Sequence, residues 1–158
     1  MRNEIERKSF IKEMPDLSCI QPIKYERYFL EAEDGKEIRI SNVNNAYFYE
    51  EKEVISSLER TREKKEIEKE EFDNLKQKGS EVILRDRYNI STNPDIAIQI
   101  YHGRFEGLVR VEVEFDSERE ATSFIPFSWM GEEMTDLPIA RDSGLINLTP
   151  EAFHKYLK

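Results

Sequence analysis

Gly107-Leu108-Val109-Arg110-Val111-Glu112-Val113-Glu114-Phe115 reads as one β-strand. Side chains alternate between the two faces of a strand. Arg110, Glu112, Glu114 and Asp116 therefore share one face, and Val111, Val113 and Phe115 share the other. The alternation settles the element, but not what its charged face meets. A solvated outer face is the commonest use of such a pattern. A second run bears on the choice. Glu4-Ile5-Glu6-Arg7-Lys8 repeats the Glu-x-Glu spacing and adds a lysine two residues on. As a strand it turns two carboxylates and one ammonium to one face and Ile5 to the other. Like charges on one sheet face repel unless something positive offsets them. A hard divalent cation would do so through carboxylate oxygens, and the adjacent lysine could hold a phosphate oxygen.

The same alternation recurs along the chain. Residues 3–12, 36–42, 46–54, 58–68, 81–91, 95–102 and 107–116 all read as strands. A short helix is expected over Lys69–Lys78, with Phe72 and Leu75 three apart and Gly79 as its stop. Another is expected over 117–123. A last helix follows the cap Thr149 and Pro150, with Phe153 and Leu157 four apart. The expectation is a mainly β (α+β) chain forming one domain over residues 1–158. Its antiparallel sheet closes or nearly closes into a barrel.

Cations fall on nearly every expected strand. Arg85-Asp86-Arg87 projects two guanidiniums from one face, Arg39 lies between Ile38 and Ile40, and Lys52 follows Tyr47-Phe48-Tyr49. Arg60, Arg62 and Lys64 alternate in a further strand. Singly, each is an ordinary surface charge. Facing inward together, they would line a tunnel with cations above a floor of carboxylates. Guanidinium forks suit phosphate oxygens and stay charged at any working pH. The chain carries a net charge of −9, which argues against non-specific binding of duplex nucleic acid. It leaves room for a small polyanion held by a local cluster. There is no glycine-rich phosphate loop, so any phosphate must be held by side chains. A single cysteine, Cys19, leaves no internal disulfide and points to a reducing, cytoplasmic setting. Two distant histidines, His102 and His154, do not make a zinc site with it. No stretch approaches the length of a membrane span, and the N-terminus lacks a signal peptide's apolar region.

In order along the chain, several runs resemble the CYTH superfamily, the triphosphate tunnel metalloenzymes. They are Glu4–Lys8, the family's Glu-x-Glu-x-Lys signature; Tyr28-Phe29-Leu30; Glu37-Ile38-Arg39-Ile40; the Lys52 strand; Arg85-Asp86-Arg87-Tyr88; Ile98–Gly103; Gly107–Phe115; and Trp129–Thr135. The resemblance implies a closed antiparallel eight-stranded β-barrel tunnel around a triphosphate. It implies that Lys8, Arg39, Lys52, Arg85 and Arg87, joined by Arg60, grip phosphates. Glu4, Glu6, Glu112 and Glu114 would surround one or two Mg²⁺ or Mn²⁺ ions. Glu4 or Glu6 would be catalytic, orienting or deprotonating the attacking water. The Ile-Glu-Arg-Lys opening matches the bacterial inorganic triphosphatase branch. The implied activity is metal-dependent hydrolysis of tripolyphosphate by a monomer or homodimer. Thiamine triphosphatases and class IV adenylate cyclases belong to the same superfamily. A non-catalytic module that binds a polyphosphate or nucleotide is the alternative of another class. Departures motivate it: Ser41 stands where relatives often carry a second arginine, and Arg62 and Lys64 where many bacterial relatives carry carboxylates. The stretch 138–143 also departs from the usual ending.

Overall fold

The computed structural model describes residues 2–33, 35–55 and 59–157; at 2–4, 54, 59 and 60 it describes the backbone. Among the described residues, nine strands form one sheet. They are β1 (Arg2–Ile11), β2 (Ile23–Glu33), β3 (Lys36–Val43), β4 (Ala46–Val54), β5 (Glu59–Ile67), β6 (Ile83–Thr92), β7 (Asp95–His102), β8 (Val109–Phe115) and β9 (Met130–Glu133). Their order is β5-β4-β3-β2-β6-β7-β8-β1-β9, and β5 also pairs with β1. Every pairing is antiparallel. Asn44 and Asn45 both take positive φ in the two-residue turn between β3 and β4, the twist-matched geometry for a tight hairpin.

The mainly β reading holds, but the strand count is nine where eight were expected. The ninth is the short β9, which flanks β1. One long strand, β2, escaped the alternation pattern. Its Tyr28 and Leu30 pack on one side of the sheet, against Phe72, while Phe29 packs on the other. Apolar groups on both faces erase a period of two.

Helices are short and lie on the outside or at one end. Helix α1 (Lys69–Lys76) turns Phe72 onto Ile40, Ile67, Tyr28 and Tyr47. Helix α2 (Glu118–Ser123) starts at Ser117, whose hydroxyl accepts from the Glu120 amide. The outer face of β7 and β8 is covered too, since Ile96, Ile98, Val111 and Val113 pack with Phe124, Trp129 and Met130. That cover decides the opening question about β8. Its valine face is buried against chain, and its charged face is turned to the interior.

The interior changes character along its length. On β2, Tyr25 and Arg27 line a cavity while Phe29, two residues on, joins the apolar core. The same switch runs from Arg85 to Ile83 on β6, from Gln99 to Tyr101 on β7 and from Arg110 on β8 to Leu108 just before it. Because the strands are antiparallel, all four switches fall at the same end. There the C-terminal segment packs in, through Met134, Ile139, Ala140, Leu145 and Phe153. It includes α3 (Asp142–Ile146) and α4 (Pro150–His154), the latter capped as expected by Thr149. One end of the interior is thus apolar and stoppered, and the rest is charged. Among the described residues no helix is long and apolar enough to cross a membrane.

Candidate functional site

Strand parity builds the site. Inward positions on β2, β3, β4, β6 and β8 put Arg27, Arg39, Lys52, Arg85, Arg87, Arg110 and Glu112 around one cavity, with Glu6 and Lys8 from β1 and Arg62 from β5. Glu37, Tyr25, Gln99, Arg141 and Asp142 complete it. Among the described residues, nine of those lining it are Lys or Arg and four are Asp or Glu. A chain with net charge −9 therefore concentrates positive charge in its interior. Low-dielectric walls focus such a field on an anion that enters.

Of the residues expected at a site, Glu6, Lys8, Arg39, Lys52, Arg85, Arg87 and Glu112 all line this cavity. Glu114 stands directly across from Glu6 in the β1–β8 register, and Glu112 across from Lys8. Glu114 lines a second groove, with Asp95 and Asp116. The side chains of Glu4 and Arg60 lie outside the described residues, although their backbones pair across β1 and β5. His102 is away from the cavity, its ring nitrogen 3.1 Å from Asp86. Cys19 is exposed.

Depth divides the cavity. Arg87 and Arg62 keep 28% and 25% of their side-chain surface in solvent. Arg27, Arg85 and Arg110 keep 5% or less. A buried guanidinium needs acceptors, and here the acceptors are internal. Arg39 donates to Glu50 at 3.1 Å and lies 3.6 Å from Glu37. Arg27 donates to the Ser41 hydroxyl at 2.9 Å and to Asp142 at 2.7 Å. Arg85 donates to Asp142 at 3.1 Å and to the Gln99 side-chain amide oxygen, Oε1, at 2.6 Å. Arg110 donates to Glu112 at 2.9 Å and to the Ile139 carbonyl at 3.3 Å. The Lys8 ammonium donates to the Ala140 carbonyl at 2.7 Å and lies 3.9 Å from Glu6. Ser41, where a second arginine was expected, thus serves as the acceptor for Arg27. The Nε atoms of Arg39 and Arg141 are buried without an acceptor among the described residues.

These contacts fix the charge states. Burial is the largest influence on Glu37, Glu50, Glu112 and Asp142 and pushes each upward. The neighbouring cations outweigh it: Arg39 for Glu37 and Glu50, Arg110 for Glu112, and Arg85 for Asp142. All four carboxyls sit below their ordinary range and are ionised at neutral pH. Arg27 is pulled down to about 10, first by burial and then by Arg39 and Arg85. It remains a cation at neutral pH. The Arg85 guanidinium lies 4.1 Å above the Tyr25 ring. Burial raises the Tyr25 hydroxyl, but Arg85, Arg27, Arg87 and Lys64 together draw it below its ordinary value.

The donor set suits a hard cation. Glu6 and Glu114 are cross-strand neighbours, and Glu112 is an ionised carboxylate on the same strand face. No three acidic or imidazole side chains converge on one point among the described residues. Magnesium asks for less than that, because it binds through one or two carboxylates and completes its shell with substrate phosphates and water.

Several residues here were not singled out in the sequence, among them Tyr25, Arg27, Arg141 and Asp142 on the cavity wall and Glu50, which accepts from Arg39. Parity with Tyr25 and Phe29 could have found Arg27, and parity with Lys52 could have found Glu50. Asp142 had no local signal. Its partners Arg27, Arg85 and Tyr101 lie 115, 57 and 41 residues away.

No protein-family model matches the chain. It is 31% identical over 138 residues to an inorganic triphosphatase of Nitrosomonas europaea, covering 84% of this chain and 89% of that protein. The solved structure of the inorganic triphosphatase NE1496 superposes with a TM-score of 0.69 at 27% identity, over 95% of this chain and 98% of that one. A putative adenylate cyclase from Bacillus halodurans shares the fold at a TM-score of 0.54 and 17% identity, over 81% of this chain and 96% of the other. With a relative of that identity and coverage, and with the signature residues Glu6 and Lys8 on the wall of a cation-lined cavity, the chain belongs to the CYTH superfamily of triphosphate tunnel metalloenzymes, in the bacterial inorganic triphosphatase branch.

Proposed function

We propose that this chain is a cytoplasmic, single-domain hydrolase that cleaves a phosphoanhydride bond of inorganic tripolyphosphate with Mg²⁺ or Mn²⁺. The supporting observation is the interior cavity itself, with nine cationic and four acidic side chains among the described residues of an acidic protein. In this reading the β5–β1 pairing closes β1 to β8 into an eight-stranded tunnel, with β9 outside the ring. The more exposed cations near the mouth, Arg62 and Arg87, meet the polyphosphate first. Lys8, Arg39, Lys52 and Arg85 position it, and Arg60 joins them from its place in the sequence.

Phosphoryl transfer asks for placement and charge neutralisation more than covalent chemistry. Glu6 and Glu114, with Glu4 by its place in the signature and Glu112 beside them, would hold the divalent ion. That ion supplies neutralisation of the phosphate oxygens. Glu6 or Glu4 orients the water and accepts its proton as the water oxygen bonds to phosphorus. The bridging P–O bond breaks, and its electron pair leaves with pyrophosphate or phosphate.

The test is phosphate release from tripolyphosphate with Mg²⁺ or Mn²⁺, comparing wild type with Glu6→Gln and with Glu4→Gln/Glu6→Gln. Metal-dependent release that drops by about two orders of magnitude or more in the variants is expected. Tripolyphosphate binding without turnover in wild type would leave a polyphosphate-binding module.

A further inference from the structure

The stoppered end of the cavity contains an anion that the chain supplies itself. Asp142 opens α3, on the segment that packs against the strand ends. Its side chain is 2% exposed. One carboxylate oxygen accepts from Arg27 at 2.7 Å and from Arg85 at 3.1 Å. The other accepts from the Tyr101 hydroxyl and lies 3.4 Å from Arg110. Donors from four strands thus converge on two oxygens. Forked arginines around a pair of anionic oxygens are what a protein uses to hold a phosphate.

We infer that Asp142 occupies the innermost phosphate position of the cavity as a built-in anion and thereby sets the length of polyphosphate that the site accepts. The inference rests on the triphosphatase reading and deepens it. A polyphosphate entering from the Arg87 side passes a wall on which cations outnumber the carboxylates of Glu6, Glu37 and Glu112 before it reaches Asp142. There the next phosphate would meet both a filled position and a like charge. The wall behind Asp142 is apolar, formed by Ile139, Leu145 and Phe153. The substrate is therefore a short chain that ends at this point. A carboxylate fixed by Arg27 and Arg85 would stop a fourth phosphate where a merely neutral wall would leave the arginines free to bind it.

The experiment compares wild type and Asp142→Ala with pyrophosphate, tripolyphosphate and tetrapolyphosphate. Steady-state cleavage is measured with Mg²⁺, and thermal stabilisation is measured with inorganic phosphate. In wild type, affinity should rise from two phosphates to three and gain nothing from a fourth. In Asp142→Ala, the ratio of kcat/KM for tetrapolyphosphate over tripolyphosphate should rise at least about tenfold. Inorganic phosphate should stabilise the variant more than it stabilises wild type, because the Asp142 position is open only in the variant. A role in folding alone would move neither readout. The inference is overturned if the variant keeps the wild-type ratio while wild type cleaves tripolyphosphate; the triphosphatase reading then stands. Should the variant fail to fold, the wild-type series decides: tetrapolyphosphate bound about tenfold more tightly than tripolyphosphate overturns it. Wild type that neither binds nor cleaves tripolyphosphate removes both the triphosphatase reading and the inference.

Discussion

Glu50 shows what a carboxylate does among buried arginines. It is 3% exposed, accepts from Arg39 at 3.1 Å and lies 3.7 Å from Arg27. Two buried charges in contact do not by themselves stabilise a fold, because desolvation offsets their attraction. Removing one partner is different, since it leaves the other charge uncompensated. Glu50→Ala should therefore cost about 3–5 kcal/mol of unfolding free energy, read from urea titration. The same contacts fix the response to acid. The folded pKa values of Glu37, Glu50, Glu112 and Asp142 all lie below their ordinary range. A depressed carboxyl contributes stability that is fully present above its unfolded value and is lost as pH falls through its folded one. Stability should stay level down to about pH 5 and fall steeply below about pH 4, where unfolded carboxyls begin to bind protons. A loss beginning well above about pH 5 would overturn the assignment to these carboxyls. At this scale, the sequence discloses what parity can reach. Arg39, Lys52, Arg85 and Arg87 are on the wall because alternation on a strand put them there. Asp142 opens a five-residue helix too short to show a period, and only the tertiary fold brings it to its arginines.

The stopper at the apolar end is an element made of tight turns. Pro138 to Leu145 wraps so closely that a Cβ on Gly144 would lie 1.9 Å from the Pro138 carbonyl oxygen. That contact is with backbone, so the turn must open to accept a side chain. Gly144→Ala should cost about 1–3 kcal/mol, a typical overpacking penalty. It should also weaken tripolyphosphate binding, because the Ile139 and Ala140 carbonyls and Asp142 all meet cavity cations from this segment. Phe153→Ala is the comparison. Phe153 is 1% exposed and meets Phe105 edge to face. Its loss should cost about 3–5 kcal/mol, measured by the same urea titration. Gly144→Ala should lose more binding for each unit of stability lost. Elements were legible where one face met water or charge and the other met core. β8 and β1 announced themselves for that reason. β2 did not, because α1 covers its outer face, and the turns of the stopper have no period to read.

At the scale of the whole molecule, the sequence bounds the charge but not its placement. A net charge of −9 and a scatter of strand cations are visible in the composition and the motifs. That the cations converge follows only from the strand pairings. Since the cavity wall is net positive, the remaining surface is more acidic than the chain as a whole. A polyanion therefore meets two fields of opposite sign, and ionic strength selects between them. At about 0.01 M the Debye length is roughly 30 Å, so the acidic exterior repels the substrate across the width of the protein. At about 0.15 M the length falls to roughly 8 Å, and the exterior is screened before the substrate reaches the mouth. Buried charges are screened much less, so the cavity still attracts at short range. At about 1 M the Debye length is roughly 3 Å, and the partly exposed Arg62 and Arg87 are screened at contact distances. With free Mg²⁺ held constant, kcat/KM for tripolyphosphate should rise roughly threefold from 0.01 to 0.1 M KCl and then fall towards 1 M. A monotonic fall from the lowest salt would mean that the cavity field, not the acidic surface, governs approach at every distance. Reversing exterior carboxylates far from the cavity, such as Glu68 and Glu70 beside the exposed start of α1, should flatten the rising limb and leave the falling limb in place.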